Sequence, residues 1–206
     1  MKVLLFNGSS HTNGCTYTAL NEVAQTLNKE NIDTEILQIG GSPVRDCIGC
    51  GKCNNCACIF NDDIVNEWIK KAADADGFVF GTPVYYAHPS GVILSAMNRM
   101  FYAGSANFKN KPAAAVASAR RAGTTATLDV MNKYISFANM IAVGSSYWNM
   151  VHGQKPDDVK QDLEGLQTMR NLGKNMAWVL KCIDLGYKNG INPPVPEKGC
   201  RTNFIR

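Results

Sequence analysis

The sequence predicts an α/β protein: a five-stranded parallel sheet, doubly wound, with helices on both faces. Three observations carry that expectation. Short apolar runs alternate with segments of helical spacing along most of the chain, and strands alternating with helices build parallel sheets covered on both sides. Several of the apolar runs end in polar clusters containing glycine or proline, the punctuation of loops. Finally, 206 residues with 45% hydrophobic and 18% charged side chains suit one globular domain, residues 1–206, rather than a disordered chain.

Residues 2–6 form the first apolar run, closed by the cluster Asn7-Gly8-Ser9-Ser10-His11-Thr12-Asn13-Gly14. Ala19, Leu20, Val23, Ala24 and Leu27 then step at helical spacing across 16–29. Residues 33–39 alternate and predict a strand. Ile64, Val65, Trp68, Ile69 and Ala72 share one helical face, with Asp62 and Asp63 near its start. Residues 77–81 predict a buried strand, 92–102 a helix, 113–117 a strand, 125–137 a helix and 140–143 the fifth strand. A loop at 144–156 carries Trp148 and His152. A long helix is expected over 157–187, with Pro156 before it and two Asp residues in its first turn. Between the second strand and its helix lies a cysteine-rich insertion at about 40–62, and a Pro- and Gly-rich tail occupies 189–206.

Composition narrows the function classes. No apolar run reaches the roughly 20 residues that span a bilayer, so no membrane partner is expected. Lys2 is followed by only four apolar residues, against the roughly 7–15 of a signal peptide, so a cytoplasmic location is expected. The net charge of +4 is mild and its basic residues are scattered. Nucleic-acid binding is not indicated, though a phosphorylated ligand fits.

In an open α/β sheet, ligands bind beyond the carboxyl ends of the strands. The first such loop, 8–16, offers hydroxyls from Ser9, Ser10, Thr12 and Thr16 beside a helix N-terminus, where unpaired N–H groups attract phosphate. It has neither the Lys and spacing of a Walker A loop nor the G-x-G-x-x-G dinucleotide pattern. It also reads as a plain helix cap. The third loop, 81–91, contains Thr82, Pro83, Val84, Tyr85 and Tyr86. A phosphate loop on the first strand and an aromatic turn on the third suit a flavin mononucleotide; rim packing is the other reading of the tyrosines. The fourth loop, 118–123, brings Arg120 and Arg121. They could face a reduced flavin or a cofactor phosphate, or simply be solvated.

The Gly-Ser-x-x-x-Asn-Gly-x-Thr loop, the Gly-Thr-Pro-Val-Tyr-Tyr turn and the Asp62-Asp63 pair after a cysteine run resemble NAD(P)H-dependent FMN reductases. More narrowly, they resemble the iron–sulfur flavoproteins. The resemblance runs from about residue 1 to the last long helix. It implies a flavodoxin-like fold with strand order 2-1-3-4-5 and FMN at a subunit interface, in a homodimer or homotetramer. By that match Ser9, Asn13 and Thr16 fall at phosphate positions. His11 sits where many relatives carry Arg, and Cys15 replaces a common Asn. Pro83, Val84, Tyr85 and Tyr86, following Thr82, fall beside the isoalloxazine ring. Ser118, Arg120, Arg121 and Gly123 fall near its pyrimidine edge. Aromatic and Met side chains in two loops, Tyr85, Tyr86, Tyr147, Trp148 and Met150, also suggest an interface.

Five of the eight cysteines lie within residues 47–58. Cys47, Cys50 and Cys53 form an overlapping C-x2-C-x2-C run that can bind three corners of a 4Fe–4S cluster. Cys56 and Cys58 compete for the fourth, and reach along the chain favours Cys58. Zinc is the main rival, and thiols without metal are a third reading.

The expected function is an FMN-dependent oxidoreductase passing electrons from NAD(P)H to a quinone, an aromatic compound or an iron–sulfur acceptor. The flavin carries the chemistry, so no catalytic acid or base is assigned. The alternative is a flavodoxin-like electron carrier with FMN and a 4Fe–4S cluster; a zinc-dependent interaction module is a more distant reading.

Overall fold

Five strands lie side by side in a parallel sheet of order β2-β1-β3-β5-β6 in the computed structural model, which describes residues 1–200 and 202. Positions 201 and 203–206 of the expected tail lie outside the described residues. In chain order the elements are β1 (Lys2–Asn7), α1 (Cys15–Lys29), β2 (Asp33–Gln38), α2 (Val65–Ala73), β3 (Gly77–Tyr85), β4 (His88–Pro89), α3 (Gly91–Ala103), β5 (Pro112–Ala119), α4 (Thr124–Phe137), β6 (Ile141–Ala142), β7 (Met150–His152), α5 (Pro156–Gln161) and α6 (Leu163–Lys188).

Side chains alternate between two cores, as strand geometry demands. Leu4, Phe6, Phe78 and Phe80 point toward α2, α3 and α4, where Trp68, Met97 and Leu128 pack against them. Val3, Leu5, Val79 and Val116 point the other way, toward α1 and α6, meeting Leu20, Val23, Met169, Leu172 and Met176. Phe6 stacks on Phe80 with centroids 4.9 Å apart. Burying each such ring or aliphatic side chain contributes about 1.5–3 kcal/mol.

Three elements differ from the sequence expectation. The fifth strand position is shared by two short pieces. β6 pairs with the start of β5 and β7 with its end, both parallel. So residues 150–152, expected in a loop, belong to the sheet. The long helix expected at 157–187 is broken at Asp162, whose ψ of 76° is not helical. Its carboxylate instead caps α6, accepting from Gly165 N at 2.9 Å, and accepts from His152 N at 2.7 Å. The break ties β7 to the helix layer.

β3 also runs on past the expected strand into a hairpin with β4. Tyr86 and Ala87 at its tip both have positive φ, 51° and 57°. That is the type I′ pattern, usually built from Asn and Gly. No helix among the described residues is long and apolar enough to cross a membrane.

Candidate functional site

The carboxyl ends of β1, β3, β5 and β7 surround a cavity of about 600 Å³. Ser9, His11, Asn13, Cys15 and Thr16 form one wall, Pro83, Val84 and Tyr85 another, and Ser118 and Arg120 a third. These ten residues are the ones the sequence placed at a flavin. Four others stand off the wall. Thr82 is fully buried, and its hydroxyl accepts Ser90 N at 3.0 Å, stapling the hairpin to the start of α3. Tyr86 projects into solvent at the hairpin tip. Arg121 is also exposed. Gly123 underlies the hairpin: a Cβ there would meet Ala87 Cα at 2.8 Å, and its φ is +90°.

The wall also contains Thr12, one of the hydroxyls the sequence offered in the first loop, and Gly14, Ala119, Gly153, Gln154, Lys155 and Pro156, which the sequence did not single out. The last four run from the end of β7 to the first residue of α5. Their signal was the Pro-Asp-Asp helix start, which marks a βα loop at this end of the sheet. His88 and His152, expected in loops but placed in β4 and β7, do not line the cavity.

The first wall is built for an anion. Gly8 must lack a side chain, since a Cβ would sit 2.7 Å from Ile93 Cβ and 2.8 Å from Gly81 O. Its N–H donates to Gly81 O and its carbonyl accepts from the Ser90 hydroxyl at 2.7 Å, fixing the loop to β3 and α3. Ser9, Thr16 and Ser118 are buried, and the hydroxyls of Thr16 and Ser118 lie 2.8 Å apart. Gln38 donates to Ser9 O, and Ser9 Oγ accepts from His11 N. The N-cap of α1 is Gly14, with no side-chain cap and no acid in the first turn. The helix thus brings no carboxylate of its own to its first-turn N–H groups, the arrangement that binds phosphate. The Cys15 thiol donates to Gly153 O; burial, then Asp158, pushes its pKa up. It stays protonated near neutral pH.

A second cavity, of about 370 Å³, lies in the cysteine insertion. Cys47, Cys50, Cys53 and Cys58 line it, together with Phe60, Arg99 and Tyr102. Gly49 and Gly51 turn the chain between the first three thiols, with φ of 63° and 66°. Asn55 and Cys56 then occupy the tip of a tight turn closed by paired hydrogen bonds between Asn54 and Ala57. Cys56 is thereby exposed and absent from the wall that Cys58 joins. Burial, then Cys58, Cys50 and Cys47, pushes the Cys53 thiol up. Among the described residues, no three Cys, His, Asp or Glu side chains converge closely enough to hold one metal ion.

A sheet of this order, with an anion-binding first loop and an aromatic turn after the central strand, defines a flavodoxin-like mononucleotide-binding protein. The comparisons with known proteins make this specific. The chain belongs to the NADPH-dependent FMN reductase family, which it matches over residues 1–155. A relative named iron-sulfur flavoprotein, from Methanocaldococcus jannaschii, is 33% identical over 192 residues, covering 89% of this chain and 99% of the relative. Among solved structures, an archaeal flavodoxin superposes with a TM-score of 0.60 at 15% identity, covering 88% of this chain and 99% of that one. The NAD(P)H:quinone oxidoreductase from Methanothermobacter marburgensis superposes with a TM-score of 0.62 at 13% identity, covering 85% and 98%. These two likenesses establish the flavodoxin-like fold. Family membership makes the chain an NAD(P)H-dependent FMN oxidoreductase.

Proposed function

We propose that this flavoprotein couples oxidation of NAD(P)H to a 4Fe–4S cluster held by Cys47, Cys50, Cys53 and Cys58, with a quinone, an aromatic compound or a protein as final acceptor. The observation that carries the reading is the common wall formed by these four thiols, with Cys56 turned away from it. A zinc ion needs its ligands within about 2.3 Å of one point. Thiols spread around a cavity suit the separate corners of a cubane instead. The name of the Methanocaldococcus relative supports the same reading.

Bound FMN supplies the exchange between a two-electron hydride donor and one-electron acceptors. The residues of this chain bind and orient. Ser9, Asn13, Thr16 and the first turn of α1 would hold the phosphate, with Ser118 near the pyrimidine edge of the ring, and Lys155 adds positive charge at the same wall. Pro83, Val84 and Tyr85 pack the ring and keep water from one face. Arg120 offers a guanidinium to negative charge on the reduced ring. No proton-transferring side chain is required. Exposed Tyr85, Tyr86, Tyr147 and Trp148 support a homodimer or homotetramer whose second subunit covers the mouth. The composition supports a cytoplasmic protein.

The test is anaerobic reconstitution, followed by iron and acid-labile sulfide analysis and EPR after reduction. About four of each per chain are expected, as the cluster type requires. Cys58→Ser should lose the cluster and Cys56→Ser keep it. The reverse pattern overturns the ligand set, and a wild-type chain that takes up no iron overturns the cluster.

A further inference from the structure

We infer that Arg99 is a positioning residue that tunes the reduction potential of the cluster through a hydrogen bond to the sulfur of Cys58; this rests on the cluster reading above. Arg99 lies on α3 among Met97, Met100 and Phe101, and its side chain is 0% exposed. Its Nε donates to Cys58 Sγ at 3.3 Å. Nη1 donates to Arg45 O at 3.1 Å and to Asp63, and Nη2 donates to Phe60 O at 2.9 Å. One guanidinium therefore grips the chain two residues before Cys47 and two residues after Cys58, and touches the sulfur itself.

A buried charge is expensive unless it is paired. Asp63, 5% exposed, pairs this one. Burial works against the Arg99 charge, but Asp63 and then Cys58 overcome it, and the net shift of its pKa is upward. An apolar side chain could fill the same space without that desolvation. What only the planar fork supplies is three fixed directions at once: two carbonyls and a sulfur.

N–H donation to a ligating sulfur withdraws electron density and favours the reduced cluster, raising its potential. One electron enters and no bond to Arg99 forms or breaks. The guanidinium keeps its proton, because it does not deprotonate in proteins. Asp63 acts in the opposite sense: its negative charge disfavours the added electron. The pair thus makes two predictions of opposite sign, which a purely structural clamp does not.

Arg99→Lys keeps the charge and loses the directed bond to sulfur. Asp63→Asn keeps the shape and loses the charge. Both are reconstituted anaerobically, assayed for iron and sulfide, and titrated with dithionite under EPR observation. The expected result is a lower potential in Arg99→Lys and a higher one in Asp63→Asn. The shift expected in each is about tenfold in the reduction equilibrium, or about 59 mV for one electron. Full iron with unmoved potentials, or shifts of the same sign, overturns the inference while leaving the cluster intact. Should Arg99→Lys fail to take up iron, Asp63→Asn decides alone: an unchanged or lower potential overturns the inference. A wild-type chain without iron overturns the cluster reading itself, and the inference with it.

Discussion

The hydroxyls of Thr16 and Ser118, 102 residues apart in the chain, lie 2.8 Å from one another. Thr16 lies in the first turn of α1 and Ser118 one residue before the end of β5, so this contact joins the first helix to the fourth strand across the sheet. Both are buried. Two polar side chains are thus held at the floor of the flavin cavity, each with capacity for a further hydrogen bond.

The first prediction follows from that capacity. Ser9→Ala with Thr16→Ala removes two hydroxyls that the proposed site directs at the phosphate. Hydrogen bonds to charged groups contribute about 1.5–3 kcal/mol each. FMN affinity, measured by flavin fluorescence quenching, should fall at least tenfold while the fold persists. Equal affinity in the double variant would remove the phosphate from this loop.

The hairpin beside Tyr85 is strained at Ala87, whose φ is 57°. Left-handed backbone costs an alanine roughly 1–2 kcal/mol, and a glycine far less. Ala87→Gly should therefore raise stability by up to about 1 kcal/mol in urea unfolding, offset in part by glycine's own entropy. Gly123→Ala should do the opposite, since its Cβ would meet the hairpin backbone at 2.8 Å on a φ of +90°. It should also weaken FMN binding by shifting Tyr85. A Gly123→Ala variant with wild-type stability and flavin affinity would show that the hairpin yields freely.

Glu35 on β2 accepts from Lys2 at 2.6 Å and from Lys71. Lys2, then Lys71, hold its carboxyl below the ordinary carboxylate range. A depressed carboxylate contributes stability above its unfolded pKa, about 4.3, and loses it as pH falls through the folded value. Glu35 is 30% exposed, so solvent screening keeps the contribution to about 1 kcal/mol or less. Glu35→Gln should melt below wild type at pH 7, and the difference should shrink as pH drops below about 4.3. A gap that widens in acid would contradict the assignment.

How far the sequence could be read depends on burial. β1, β3 and β5 are covered on both faces, so each is a nearly unbroken apolar or small-residue run. β7 is three residues long, Met150–His152, at a sheet edge. No pattern of period two can show in three residues, and with β7 the wall from Gly153 to Pro156 was lost. Tyr86 looked equivalent to Tyr85 because adjacency in sequence says nothing of the turn that throws it outward. Thr82 has the right chemistry for a flavin, but its side chain points to the packed face of β3. The cysteine spacing was legible; its buried partner was not. Arg99 interrupts an apolar helix face, which was the available signal, but only the folded chain brings it to Cys58.

Lys155 is the residue through which this loss bears most on function. The resemblance puts His11 where many relatives have Arg, which leaves the phosphate wall short of a fixed cation. Lys155, on the loop between β7 and α5, lies on that same wall. Asp158 orders its backbone, accepting from Gln154 N at 3.0 Å and Lys155 N at 3.1 Å. The side chain itself is exposed, so its attraction for a phosphate is screened and contributes about 1 kcal/mol. That corresponds to roughly fivefold in affinity. A phosphate-directed charge acts on FMN and not on riboflavin, which has the same ring and no phosphate. Lys155→Met should therefore reduce the ratio of FMN to riboflavin affinity about fivefold at low salt, and the loss should fade as ionic strength rises. Equal weakening of both ligands would mean that Lys155 holds the β7–α5 loop in place rather than the phosphate.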